Sequence, residues 1–93
     1  MALAGWISAR TVIETKTYEA QRDAIMPDIR RFDEVMRGVY WALSTRPEAF
    51  PSADPNNPTI HVLKTDAFSD IPRLRIFYKF NDVAVQLLWI EVI

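Results

Sequence analysis

Leu74-Arg-Ile-Phe-Tyr-Lys-Phe80, the pair Asn81-Asp82 and Val83-Ala-Val-Gln-Leu-Leu-Trp-Ile-Glu-Val92 read as two β-rich runs joined by a tight turn. Asn-Asp tolerates the unusual backbone angles of a two-residue hairpin, so the two runs are expected to lie antiparallel and adjacent. Residues two apart on a strand share a face. Leu74, Ile76, Tyr78 and Phe80 therefore point one way, and Arg73, Arg75, Phe77 and Lys79 the other. The first set belongs against a core. The second gathers three cations and one aromatic ring on an open face, which can hold phosphates and stack a base, or can simply solvate the outside of a half-exposed sheet.

Upstream, Thr59-Ile-His-Val-Leu-Lys64 supplies a third strand of the same group. The segment before it, Pro47 to Pro58, holds four prolines and is expected to be an extended connector. Before that, Ile29, Phe32, Met36, Val39 and Leu43 recur at spacings of three and four, while Arg30, Arg31, Asp33, Glu34 and Arg37 fill the other positions. This is an amphipathic helix, opened by Asp28 as N-cap after Pro27 and closed near Arg46 by Pro47. A shorter helix precedes it, capped by Thr15 or Thr17, with Tyr18, Arg22 and Ile25 on one side. Arg10-Thr-Val-Ile-Glu14 is a β-branched run suited to a first strand. The expected fold class is α+β: an N-terminal strand, a two-helix hairpin, then a three-stranded antiparallel meander packed on the helices. A chain of 93 residues fits one domain, 1–93.

Composition excludes several kinds of chemistry. Cysteine is absent, which removes disulfides, thiolate metal sites and cysteine nucleophiles. His61 is the single histidine, so a multi-histidine metal site is excluded, and neither a metal nor a cofactor is expected. Asp66 and Asp70 read as turn residues between strands rather than as an acid pair. Trp6, Trp41 and Trp89 read as core or interface fillers. No apolar run is long enough for a membrane span, and the N-terminus lacks the basic and apolar regions of a signal peptide, so the cytoplasm is the expected compartment. With a net charge of −1 and a pI near 5.7, any nucleic-acid role must rest on a local basic patch.

Within that patch Arg75 and Lys64 are the candidate catalytic or charge-stabilising residues, and Arg73, Arg75, Lys79 and Phe77 the candidate RNA or phosphate contacts. His61 and Lys64 fall on opposite faces of their strand, so at most one of them joins the cationic face. The closing run Leu87 to Ile93 is apolar on both faces and asks for cover that a partner chain would supply.

Pro72-Arg-Leu-Arg-Ile-Phe-Tyr-Lys-Phe-Asn-Asp-Val-Ala-Val-Gln-Leu-Leu-Trp-Ile90 resembles the RelE/ParE superfamily of bacterial type II toxins. In that family an arginine within an Arg-Ile-x-Tyr strand is followed by an Asp-containing turn and a final apolar strand. The order of strand, helical hairpin and meander over residues 10–93 is similar to that family as well. The resemblance implies one of two activities. One is cleavage of messenger RNA on the ribosome, with the RNA's own 2′-hydroxyl as nucleophile and Arg75, with Lys64, stabilising the phosphorane charge; the other is inhibition of DNA gyrase by binding. It also implies a structural Tyr78 and a cognate antitoxin as partner. Family members commonly continue past the last strand into a segment with an acid/base residue, whereas this sequence ends at Ile93, so proton transfer would fall to His61 or Tyr40. The alternative expectation is a non-catalytic binding or assembly module with a toxin-like fold, self-associating through Leu88, Trp89 and Ile90.

Overall fold

In a computed structural model the described residues are 9–67 and 71–93. Trp6 and Asp70 lie outside them. The chain runs β1 (Thr11–Glu14), α1 (Lys16–Ile25), α2 (Ile29–Thr45), a short 3-10 turn at Pro47–Ala49, β2 (Ser52–Asp54), β3 (Asn57–Lys64), β4 (Leu74–Phe80) and β5 (Ala84–Val92). The fold is α+β, with two helices on one side of a five-stranded mixed sheet ordered β1-β5-β4-β3-β2. No described helix is long and apolar enough to cross a membrane.

Local chemistry sets the helix ends. Thr15 caps α1 by accepting the Tyr18 N–H at 3.3 Å, and its hydroxyl donates to the Leu87 carbonyl at 2.7 Å, which ties the helix start to β5. Asp28 caps α2 by accepting the Arg31 N–H at 3.2 Å. At the other end Arg46 closes the helix before Pro47. Phe32, Met36 and Leu43 of α2 are buried with Tyr18 of α1 against Leu63, Leu74, Ile76, Tyr78, Val85, Leu87 and Ile90 of the sheet. Val39 is packed beside them, while Ile29, the first residue of the expected stripe, is exposed.

Three features differ from the sequence reading. The proline-rich stretch is more than a connector: Ser52–Asp54 forms an edge strand that pairs antiparallel with β3, Ser52 opposite His61 and Asp54 opposite Asn57. Pro51 and Pro55 flank this strand, and Pro58 lies near the start of β3, ahead of the His61–Lys64 stretch that pairs with β4, so the prolines do not interrupt these ladders. The β4–β5 turn has its tip at Asp82-Val83, one residue later than expected. There the Asn81 N–H donates to the Ala84 carbonyl at 3.0 Å. Asn81 Oδ1 accepts from Val83 and Ala84 N–H at 2.8 and 2.9 Å, so the asparagine side chain builds the turn from its first corner.

The third difference decides the faces of β5. Phe77 pairs with Trp89 but Tyr78 pairs with Leu87, so Leu88 is an extra residue, a β-bulge. The bulge shifts the alternation by one. Val85, Leu87 and Ile90 all point into the core, each at most 1% exposed, while Gln86, Trp89 and Glu91 share the opposite face with Lys79, Phe77 and Arg75. Of the closing apolar run, Leu87 and Ile90 are therefore inward and buried, while Trp89, Val92 and Ile93 stay exposed. Gln21 of α1 completes the arrangement by accepting the Ile90 N–H at 2.9 Å just beyond the bulge.

Candidate functional site

The outer side of the sheet carries no helix among the described residues, and two rows of side chains cross it. Lys64 of β3 stands opposite Arg75 of β4, and Arg75 opposite Glu91 of β5. One step along, Val62 stands opposite Phe77, and Phe77 opposite Trp89. Lys79 opposite Gln86 continues the face toward the hairpin, and Arg73 precedes it at the other end. Of the two strand-3 candidates it is thus Lys64 that shares the face with Arg75. Lys64 and Lys79 are exposed, and neither they nor Arg73 make an ion pair among the described residues.

Arg75 is differently placed. Its Nη2 pairs with Glu91 Oε2, and Glu91 Oε1 accepts the Trp89 indole N–H at 2.8 Å. Trp89's indole N–H and Arg75's guanidinium together hold the Glu91 carboxyl below the usual carboxylate range. The Arg75 Nε–H is sealed from solvent and has no acceptor. Arg75, Lys64, Phe77 and Val62 line one side of a groove of about 460 Å³, with Phe50 and Pro51 on the other. That volume lies within the ordinary range of small-ligand sites. A slightly larger groove of about 520 Å³, between α2 and the chain after β3, is lined by Arg31, Glu34, Val35, Met36, Thr65 and Ile71.

His61 and Tyr40 are not part of this face. His61 stands opposite Tyr78, on the helix side, with Nδ1 2.8 Å from the Phe50 carbonyl and its ring against Tyr78 and Phe80. Tyr40 donates to Glu14 Oε2 at 3.1 Å, and its hydroxyl lies 2.6 Å from that of Tyr18. Burial pushes both tyrosines far above the ordinary phenol value, so they serve as neutral hydrogen-bonding groups. Arg22 joins them by bridging Glu14 at 2.5 Å and Asp23 at 3.1 Å, and the cluster fastens β1 to both helices. Tyr78 is fully buried and donates to the Pro47 carbonyl at 2.6 Å, a structural role.

Asp66 is exposed after β3, and no group of three or more potential metal ligands occurs among the described residues. Trp41 is 65% exposed on α2, away from the sheet face, whereas Trp89 is 44% exposed on it. Sequence periodicity misses Trp89 and Glu91 as members of the face because a regular strand cannot place Leu87, Trp89 and Glu91 on different sides. The doubled Leu87-Leu88 was the available sign of an inserted residue.

Chemically, the face offers two adjacent cations, two aromatic rings in one row and further cations at both ends. Comparison of the chain with family models, with curated proteins and with solved structures finds no match.

Proposed function

We propose that this chain is the toxin-like component of a bacterial type II toxin–antitoxin system, RelE/ParE-like in arrangement, whose open sheet face takes RNA at the ribosome. The adjacency of Lys64 and Arg75 beside Phe77 and Trp89 on one uncovered face carries the reading. Cations meet phosphates, and rings accept unpaired bases without regard to sequence. In this account Arg75 and Lys64 stabilise charge at one phosphate, Arg73 and Lys79 follow the backbone on either side, and Phe77 and Trp89 stack bases. The element order, and Arg75 at the place of the family's strand arginine, support the family likeness. The setting is the bacterial cytoplasm, with a cognate antitoxin as partner.

A second reading, a non-catalytic module that binds RNA or a protein target such as gyrase through this face, is favoured by one observation. His61 and Tyr40 sit on the helix side, and the titratable carboxyl beside Arg75, Glu91, is held ionised by two donors, which makes it a poor proton donor. Self-association through the last strand would engage Leu88, Trp89, Val92 and Ile93 rather than Ile90, which is already in the chain's own core.

Induced expression in bacteria, with transcripts followed by primer extension and Arg75→Ala in parallel, separates these readings. Growth arrest with in-frame cuts that vanish in the variant supports ribosome-dependent cleavage. Arrest with intact transcripts supports the binding reading, and unimpaired growth by the wild-type chain contradicts the toxin assignment.

A further inference from the structure

An anion already sits on Arg75. Glu91 takes one arm of the guanidinium and, through its other oxygen, the indole N–H of Trp89. Those are two of the groups the proposed RNA reading assigns to the ligand, the guanidinium for a phosphate and the indole for a base. The Nε–H of Arg75 is sealed from solvent and has no acceptor, so a ligand meets Arg75 at its Nη groups. Glu91 meets Arg75 from β5, whereas a phosphodiester, with its two non-bridging oxygens, can take an Arg75 Nη and the Lys64 ammonium of β3 together.

We propose that Glu91 is a resident competitor at the phosphate subsite formed by Lys64 and Arg75, and that an RNA phosphate binds there by displacing its carboxylate. This rests on the reading of the face as an RNA surface. Displacement exchanges one ion pair on Arg75 for a contact shared between Arg75 and Lys64. It also frees the Trp89 indole, coupling phosphate entry to release of the ring that stacks a base.

The test is a fluorescence anisotropy titration of a labelled, short single-stranded oligouridine RNA at fixed salt. It compares the wild-type chain, Glu91→Gln, Arg75→Ala and the double variant, each checked for a cooperative thermal melt. Glu91→Gln is expected to tighten binding by roughly threefold, the scale of one partly exposed ion pair, and to give no gain in the Arg75→Ala background. Glu91→Thr, which also suits a strand, carries the same expectation and replaces Glu91→Gln if that variant fails to melt cooperatively. Binding that is unchanged or weaker on loss of the carboxylate overturns the proposal while leaving the RNA reading intact, as does an equal gain with Arg75 absent, which would be a net-charge effect. No binding by the wild-type chain or any variant overturns the RNA reading itself, and the competitor with it.

Discussion

Arg75 and Glu91 face each other across β4 and β5, and through Trp89 Nε1, 2.8 Å from Glu91 Oε1, their ion pair links the charged row of the sheet to its aromatic row. The link exists because Leu88 is inserted into β5. Without that bulge, alternation through Leu87 would not bring Trp89 and Glu91 to the same side as Arg75 and Phe77.

The pair has a pH signature. Glu91's carboxyl lies below its ordinary value because the Trp89 indole N–H and Arg75 favour its ionised form. A group whose pKa is lower folded than unfolded adds stability that is complete above the unfolded value, about 4.3 for glutamate, and is lost as pH falls through the folded value. Glu91→Gln should therefore lower the melting temperature by roughly 3 °C at neutral pH, and the two melting curves should converge as the pH drops below about 4. Circular-dichroism melts across that range check this. A difference that persists unchanged into acid would show that the pair is not its source.

On the helix side, Glu14 compensates Arg22, whose side chain is 11% exposed, and accepts from Tyr40. Removing the carboxylate leaves a nearly buried guanidinium with Asp23 alone, so Glu14→Ala should cost about 2 kcal/mol in urea unfolding. Replacing both partners by apolar residues, Glu14→Leu with Arg22→Met, should recover much of that loss, because no unpaired charge remains. RNA binding should be unaffected by either, since the cluster lies across the sheet from the outer face. A double variant less stable than the single one would contradict the account.

Tyr78 is the corresponding test within the strand that carries the site. It alternates with Phe77 and Lys79 but points inward, and its hydroxyl satisfies the Pro47 carbonyl. Tyr78→Phe should cost about 1–2 kcal/mol by chemical denaturation while leaving RNA affinity within error of wild type. Loss of affinity without loss of stability would place Tyr78 in the binding face instead.

Cations and rings of the outer face should separate by salt. Lys64→Ala and Lys79→Ala should each flatten the dependence of log affinity on log salt, by about 0.7 for every phosphate no longer neutralised. Phe77→Leu and Trp89→Leu should weaken binding by about 1–3 kcal/mol and leave the slope as it is. Identical slopes in all of these variants would mean that the charges do not touch phosphates.

Much of this architecture is legible in the residues. Phe32, Met36 and Leu43 announce the buried side of α2 by spacing, Asp28 announces its start, and Leu74 to Phe80 sorts its own two faces by alternation. What is not legible follows from pairing rather than from local pattern. The parallel placement of Thr11–Glu14 beside β5 is a long-range contact with no local mark, and Ser52–Asp54 becomes a strand only because β3 turns back beside it. For the site, Arg75, Phe77, Lys79 and Lys64 can be assigned to one face by parity. Glu91's hold on Arg75 cannot, because it depends on a one-residue bulge that parity counting passes over.

The most direct measurement is an NMR titration of the isotopically labelled chain with the same single-stranded RNA. The account predicts that the largest shifts fall on Lys64, Arg75, Phe77 and the Trp89 indole N–H, with Trp41, Tyr40 and His61 little changed. Shifts centred on α2 and Trp41, or none on the outer face at saturating RNA, would contradict it.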